Sequence, residues 1–123
     1  VMEGVAFGFR DMFELLREAG LANVTQIRAS GGGTRSKLWL QILADVLETE
    51  IVTVSTTEGA AYGAAILAAA GSGMFVDVPL ACAALIKVTE SNAVGEEKAA
   101  YQQRYPLYKA LYPNLREIFS RLG

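Results

Sequence analysis

The residues best suited to chemistry lie between a predicted strand and a predicted helix. The strand covers Thr25–Ser30, and it is followed by Gly31, Gly32 and Gly33. Glycine has no Cβ, so the main chain there can take a positive φ and a ligand can approach it closely. The next helix presents unpaired N–H groups and a positive dipole end, which attract phosphate oxygens. Thr34 or Ser36 can cap that helix or donate a hydroxyl hydrogen bond.

This glycine run has two interpretations from the residues alone, an anion site or only a tight turn. The segment is not a Walker A loop, because the spacing G-x-x-x-x-G-K-[ST] is absent. It also lacks the G-x-G-x-x-G spacing of a dinucleotide site. Arg28 and Arg35 flank the glycines, and Arg35 is a candidate to neutralise a phosphate, although an exposed lone arginine is commonplace.

A second segment, Gly59–Ala70, consists almost entirely of small side chains. Gly59 and Gly63 lie one helical turn apart, and each costs roughly 1 kcal/mol in a helix interior relative to alanine. Something must therefore approach this face closely, either a packed neighbour or a flat ligand. The predicted capping box before it, Ser55–Glu58, marks where this helix begins.

Catalytic and metal-binding groups are not predicted in this chain. It contains no histidine, which removes the commonest general base and metal ligand. Its helical carboxylates show no convergent partner, so a solvated surface is the expected setting for Asp11, Glu14, Glu18, Asp45 and Glu48.

The elements that position these segments alternate along the chain. A helix is predicted over Val1–Ala19, a second begins at Ser36, and a strand covers Ile51–Val54. Together with the elements already named, this alternation predicts a parallel α/β sheet. The segment 77–88 is left unassigned. Residues 96–122 are predicted to be helical but kinked or divided by two prolines, with tyrosines at helical spacing packing back onto the domain.

Composition limits the remaining options. The chain has 123 residues, of which 52% are hydrophobic, and a mean hydropathy of +0.28, which excludes a disordered tail. No apolar run reaches the roughly 18 residues that would cross a bilayer. The net charge of -2 and scattered basic residues argue against a nucleic-acid surface. The single cysteine, Cys82, cannot form an internal disulfide, which fits a reducing, cytoplasmic setting.

Three ordered stretches resemble the second domain of FGGY carbohydrate kinases, namely residues 3–7, 28–46 and 58–65. Within that family, residues 81–84 and the tyrosine-rich stretch 101–113 are most similar to xylulokinases. The resemblance implies an α/β fold that forms the C-terminal part of an actin-like, ribonuclease H-like ATPase domain. Short parallel strands with helices are then followed by a helical tail.

The resemblance also implies a site. In the family, the turn that matches Gly31, Gly32 and Gly33 lies against ATP, and the position of Ser36 contacts the nucleotide near its adenosine. Glycerol kinases have asparagine at that position. The helix from Gly59 would pack beneath the turn.

The implied reaction is transfer of the ATP γ-phosphoryl group to D-xylulose, with Mg²⁺ as cofactor and an aspartate as base. The sugar pocket, the base and most of the metal site would lie upstream, so residues 1–123 are expected to be a single-domain fragment without the N-terminal sugar-binding domain. Alone it should be inactive, and its exposed apolar face should favour self-association. The alternatives are another FGGY kinase (glycerol, gluconate, ribulose or fuculose class) or a non-catalytic nucleotide-binding or interaction module.

Overall fold

The computed structural model describes residues 1–21, 23–56 and 59–122 of the chain. Within this part the helices are α1 (Met2–Glu18), α2 (Lys37–Leu47), α3 (Gly59–Gly71), α4 (Val78–Leu85) and α5 (Lys98–Leu122). The strands are β1 (Gln26–Ala29), β2 (Glu50–Val54) and β3 (Val88–Asn92), and a 3-10 turn spans Gly32–Arg35. None of these helices combines the length and the apolar character that a membrane span requires.

The sheet has the order β1-β2-β3 and is mixed. β1 and β2 are parallel, as the sequence predicts, with Ile27 opposite Ile51 and Ala29 opposite Thr53. The expectation of a purely parallel sheet is wrong for β3, which pairs with β2 in the antiparallel sense. β3 lies in part of the segment left unassigned and beyond it. Its mostly exposed, polar sequence lacks the alternation that reveals a strand.

Helix α2 lies between the sheet and the helices α1 and α5. Its inner face faces the sheet, where Leu40, Ala44 and Leu47 form a buried cluster with Ile51 of β2. Its opposite face joins a second buried cluster, which consists of Ala6, Phe7, Ile42, Val46, Tyr101 and Tyr105. α2 is therefore the central support of the fold, since residues of both clusters lie on it.

The structure has one helix, α5, running through Pro106 and Pro113, so of the two predicted effects, a kink or a division, division is wrong. Both prolines are exposed, and water can hydrate the carbonyl groups that their missing N–H groups leave free. The predicted packing of the tyrosines is confirmed for Tyr101 and Tyr105, which are buried, and for Tyr108, which packs against the same cluster, but it is wrong for Tyr112, which is exposed.

The expectation of solvated carboxylates is wrong in several places. Asp45 is only 2% exposed, and it accepts hydrogen bonds from the Gly95 N–H and from Gln41. The Tyr105 hydroxyl donates to Glu14 and to the carboxylate of Asp11, as the distances of 2.9 and 2.6 Å show. These partners lie far away in sequence, so helical periodicity could not reveal them.

Two local signals decide where helices start. Ser36 caps α2, and Asp77 caps α4, with a side-chain oxygen 2.8 Å from the Leu80 nitrogen. The expected capping box of α3 includes Thr57 and Glu58, which lie outside the described residues. Cys82 is half-buried within α4.

Candidate functional site

The glycine turn lies at the carboxyl edge of the parallel strand pair. Because β1 and β2 are parallel, both strands end on the same side of the sheet. Each is followed along the chain by a helix, α2 after β1 and α3 after β2. Ligands of open α/β sheets bind in the crevice outside the carboxyl ends of such strands. The fold therefore places the glycines where a ligand site is expected.

Gly31 is fixed as glycine by its backbone. Its φ is 98°, a region that residues with a Cβ rarely adopt. The Gly31 carbonyl accepts from the Thr34 side-chain hydroxyl at 2.7 Å and from the Thr34 N–H at 3.2 Å. The turn is thus closed by its own hydrogen bonds before any ligand arrives.

Gly32 differs, because neither its backbone nor its packing requires a glycine. It is not among the described residues with positive φ, and a Cβ built on it would meet no atom within 4 Å. Gly33, by contrast, would place a Cβ 3.4 Å from Cδ1 of Trp39. The bare main chain at Gly32 is therefore open to solvent and to anything that binds there.

Ser36 is the N-cap of α2, and its hydroxyl oxygen accepts from the Trp39 N–H at 3.2 Å. The hydroxyl proton remains available to donate elsewhere. α2 begins at Lys37, so the N–H groups of Lys37 and Leu38 have no acceptor within the helix. No other described residue accepts from them. The structure thus directs unsatisfied donors and the helix dipole outward beside the glycine turn.

Positive charge surrounds this corner. Arg28, Arg35 and Lys37 are exposed, and none of them forms an ion pair with a carboxylate in the described ranges. Unpaired cations next to free N–H donors favour an anionic ligand.

Helix α3 closes the site on the side of β2. A Cβ on Gly59 would stand 2.6 Å from Oγ of Ser30, so this glycine permits direct contact between the start of α3 and the end of β1. Gly63 has open space around it and lines a cleft of about 160 Å³ together with Ser30 and Arg28. Of the two alternatives for the small-residue segment, close packing describes Gly59, whereas Gly63 has an open face that a ligand could approach.

Ser30 and Tyr62 line this cleft but were not predicted from the sequence as site residues. Ser30 supports Gly59, and its position as the last residue before the glycines was the available signal. Tyr62 also lines the cleft and is fixed by a hydrogen bond of 2.7 Å from its hydroxyl to the Leu85 carbonyl. That partner lies on α4, in the unassigned segment, so nothing in the sequence indicated it.

A larger hollow of about 460 Å³ lies between α1, β1 and α2. Its walls are mostly apolar and include Phe9, Phe13, Trp39 and Leu43, whereas Gly33 and Thr34 line it beside the glycine turn. β1 is the edge strand on this side. The hollow is thus an apolar surface next to an unpaired strand edge.

The described residues of this corner offer groups suited to holding a ligand. Its polar contributions are main-chain donors, hydroxyls and cations. Among the described residues there is no cluster of three or more aspartate, glutamate, histidine or cysteine side chains that could hold a metal ion. The arrangement suits an anion held against bare main chain.

The profile of the C-terminal domain of the FGGY family of carbohydrate kinases matches residues 1–72. The chain belongs to this family. Among its curated relatives, a xylulose kinase of Staphylococcus epidermidis is 35% identical over 123 residues, which is 99% of this chain and 25% of the relative. A ribulokinase of Mycolicibacterium smegmatis is 33% identical, covering 98% of this chain and 21% of that protein. A gluconokinase of Bacillus licheniformis is 31% identical, covering 99% and 24%.

Solved structures agree with this membership. The crystal structure of a xylulose kinase from Rhodospirillum rubrum superimposes with a TM-score of 0.82 at 34% identity, covering 97% of this chain and 24% of that one. A gluconate kinase from Lactobacillus acidophilus gives a TM-score of 0.89 at 23% identity, covering 100% and 25%, which supports the fold alone. The expected fold class, part of an actin-like, ribonuclease H-like ATPase domain, is confirmed.

The FGGY-family match covers only part of each relative. The chain spans about a quarter of the length of the curated relatives it matches. The relatives' names differ in the sugar: xylulose kinase is the commonest name among the curated relatives, and gluconokinase and ribulokinase also occur.

Proposed function

We propose that this chain is the adenosine-side part of the nucleotide site in an ATP-dependent, cytoplasmic sugar kinase. The whole enzyme would transfer the γ-phosphoryl group of ATP to D-xylulose and release D-xylulose 5-phosphate. In this proposal Gly31, Gly32 and Gly33 form the surface against which the nucleotide lies, and the Ser36 hydroxyl donates to it.

The observation that carries the proposal is the open main chain at Gly32. A glycine that neither packing nor φ requires is explained if a ligand occupies the space of its missing Cβ. The free N–H groups at the start of α2 and the unpaired cations Arg28 and Arg35 supply the charge complement of a nucleotide. Positioning and charge neutralisation are the main contributions of protein to phosphoryl transfer.

The remaining machinery is assigned to the polypeptide outside this chain. The described residues offer no metal cluster, so the proposal leaves Mg²⁺, the base and the sugar contacts to the rest of the enzyme. The apolar hollow beside the edge strand β1 supports this division, since an exposed surface of this kind is normally covered. We propose that residues 1–123 are one part of a longer two-domain kinase and are inactive alone.

The site is tested by titrating MgADP into the protein expressed from its complete gene. Gly32→Val fills the open space, and we expect it to weaken MgADP binding by at least about tenfold, equivalent to about 1.4 kcal/mol. Gly71→Val is the matched control, because a Cβ at Gly71 also meets no atom within 4 Å but lies at the far end of α3. Equal binding by the Gly32→Val variant and the wild type would remove the nucleotide from this turn.

The sugar is tested separately by comparing kcat/KM for D-xylulose with the values for ribulose, gluconate, fuculose and glycerol, with MgATP as phosphoryl donor. The names of the relatives support D-xylulose as the best substrate. A much higher kcat/KM for another of these sugars would reject xylulose while leaving the kinase proposal intact. Absence of any phosphorylation by the complete protein would reject the kinase proposal.

A further inference from the structure

The two hydroxyls beside the glycine turn are used differently. The Thr34 hydroxyl donates to the Gly31 carbonyl at 2.7 Å, and a threonine hydroxyl has only one proton to donate. That proton is therefore not available to a ligand, whereas the Ser36 hydroxyl accepts from the Trp39 N–H and keeps its own proton. Thr34 thus acts on the site through the shape of the turn.

The hydrogen bond from Thr34 sets the direction of one peptide group. The Gly31 carbonyl belongs to the peptide that joins Gly31 to Gly32, and this peptide is trans, so its N–H points opposite to its C=O. The C=O is directed toward Thr34, whose hydroxyl and N–H both donate to it. The N–H of Gly32 therefore points away from Thr34. Gly32 is exposed, and no described residue accepts a hydrogen bond from this N–H.

The other end of the turn is held by packing. A Cβ on Gly33 would stand 3.4 Å from Cδ1 and 3.5 Å from Nε1 of Trp39, so the indole ring lies directly against this residue. The ring also packs against Phe9, with 6.4 Å between the two ring centroids. Because packing fixes Gly33, the peptide between Gly31 and Gly32 is the part of the turn that two glycines leave free to rotate. The Thr34 hydroxyl is the side-chain group that holds it.

We propose that Thr34 is a positioning residue, which holds the peptide between Gly31 and Gly32 so that the Gly32 N–H faces the nucleotide. This role rests on the proposed function, because the nucleotide must lie against Gly32. Thr34 does not touch the ligand itself. Its hydroxyl fixes a glycine main chain before the ligand arrives, and such preorganisation lowers the cost of binding.

The test is calorimetric titration of MgADP into the protein expressed from its complete gene. Thr34→Val keeps the shape of the side chain and removes the hydroxyl, and it should weaken MgADP binding about fivefold. Thr34→Ser keeps the hydroxyl and should bind within about twofold of the wild type. Thr34→Ala adds no apolar bulk and should weaken binding as much as Thr34→Val, so it gives the same test if valine disturbs folding.

Two further measurements separate positioning from a general loss of stability. Thr34→Val should raise the KM for MgATP and leave kcat nearly unchanged, since it removes binding that the ground state and the transition state share. A merely structural loss would lower the fraction of active enzyme, and with it the apparent kcat. Thr89→Val is the matched control, because it removes another threonine hydroxyl contact, of 2.8 Å to Thr53 in the sheet, and should leave MgADP binding unchanged.

The outcomes distinguish this role from the nucleotide site itself. If Thr34→Val binds MgADP as tightly as the wild type, or Thr34→Ser binds as weakly as Thr34→Val, the positioning role is overturned. If Gly32→Val weakens binding in the same series and Thr34→Val does not, the nucleotide lies at the turn and only the role of Thr34 is wrong. If neither variant weakens binding, the proposed nucleotide site is wrong as well.

Discussion

Gly59, the first residue of α3, lies directly against Ser30, the residue that joins β1 to the glycine turn. A Cβ on Gly59 would stand 2.6 Å from the Ser30 hydroxyl oxygen and 3.5 Å from its Cβ. A heavy atom cannot remain at the first of these distances, whereas the second is ordinary contact. The hydroxyl of one side chain therefore decides whether position 59 tolerates a larger residue.

We expect Gly59→Ala to lower the free energy of unfolding by about 1 kcal/mol, since overpacking of this kind costs roughly 1–3 kcal/mol and rotation of the Ser30 hydroxyl relieves part of it. Because Ser30 leads into the glycine turn, MgADP binding should weaken as well. Chemical denaturation and calorimetric titration of the complete protein measure the two effects.

Ser30→Ala supplies the control for this prediction. The Gly59→Ala substitution should cost less in the Ser30→Ala background, because the clashing oxygen is gone. If the two substitutions proved additive, contact between these residues would not be the cause of the loss.

Asp45 joins α2 to the segment before α5. Its buried carboxylate accepts from the Gly95 N–H and from the Gln41 side chain, and Gln41 also donates to the Ala93 carbonyl at 3.1 Å. Asp45→Ala should lower the free energy of unfolding by about 1–3 kcal/mol, the cost of leaving such donors without acceptors. Chemical denaturation measures the loss.

Two comparisons make the Asp45 prediction specific. Asp45→Asn keeps one acceptor oxygen and should lose less than Asp45→Ala. Glu96→Ala removes a neighbouring exposed carboxylate and should change the free energy of unfolding by less than about 0.5 kcal/mol. A loss of the same size at Glu96 would show that general charge, not the buried hydrogen bonds, determines stability here.

Much of this architecture followed from local sequence signals. The periodicity of α1 and α2, the β-branched strand β2 and the glycines after β1 each depend on neighbouring residues, so they predicted the helices and the parallel pair. The position of Ser36 as the cap of α2 followed from the same kind of signal. The turn that begins at Gly31 was found because glycine is the residue type that readily adopts the positive φ observed there.

The errors arose where distant contacts outweighed local preference. Pro106 did not end α5, because Tyr101 and Tyr105 before it and Tyr108 after it all pack against the cluster that includes Phe7 of α1. β3 gave no strand signal, because its side chains are mostly exposed and polar and do not alternate between apolar and polar positions. Asp45 was predicted to be a solvated surface residue, because Gly95, whose N–H donates to its carboxylate, lies far along the chain. The support of Gly59 by Ser30 likewise depends on a tertiary contact.

Acid should destabilise the junction of α1, α2 and α5 through Glu14 and Glu48. Burial raises the pKa of Glu14, but hydrogen bonds from Tyr105 and Lys109 and the charges of Lys109 and Arg10 together hold that pKa below its ordinary value of 4.5. Burial likewise raises the pKa of Glu48, and Gln102, Lys98 and Arg10 outweigh it and lower the pKa.

A folded-state pKa below the unfolded value contributes stability above the unfolded pKa, and this contribution disappears as the pH falls through the folded value. The denaturation midpoint should therefore fall as the pH is lowered below about 4.5. The Glu14→Gln/Glu48→Gln variant should be less stable at neutral pH and show a shallower acid decline. If the stability of the double variant fell as steeply with acid as that of the wild type, other carboxylates would be the cause of the loss.

Ser36 has a structural task that can be separated from any contact with a ligand. Its hydroxyl oxygen accepts from the Trp39 N–H, and loss of such a cap costs about 1 kcal/mol. Ser36→Ala should therefore lower the free energy of unfolding by about that amount, whereas Ser36→Asn should be nearly neutral because asparagine is an equally good cap. Denaturation of the three proteins measures this difference. MgADP titration of the same proteins then isolates the ligand contact, since a binding loss shared by both variants cannot come from the cap that Ser36→Asn preserves. If Ser36→Asn lost as much stability as Ser36→Ala, the capping role itself would be wrong.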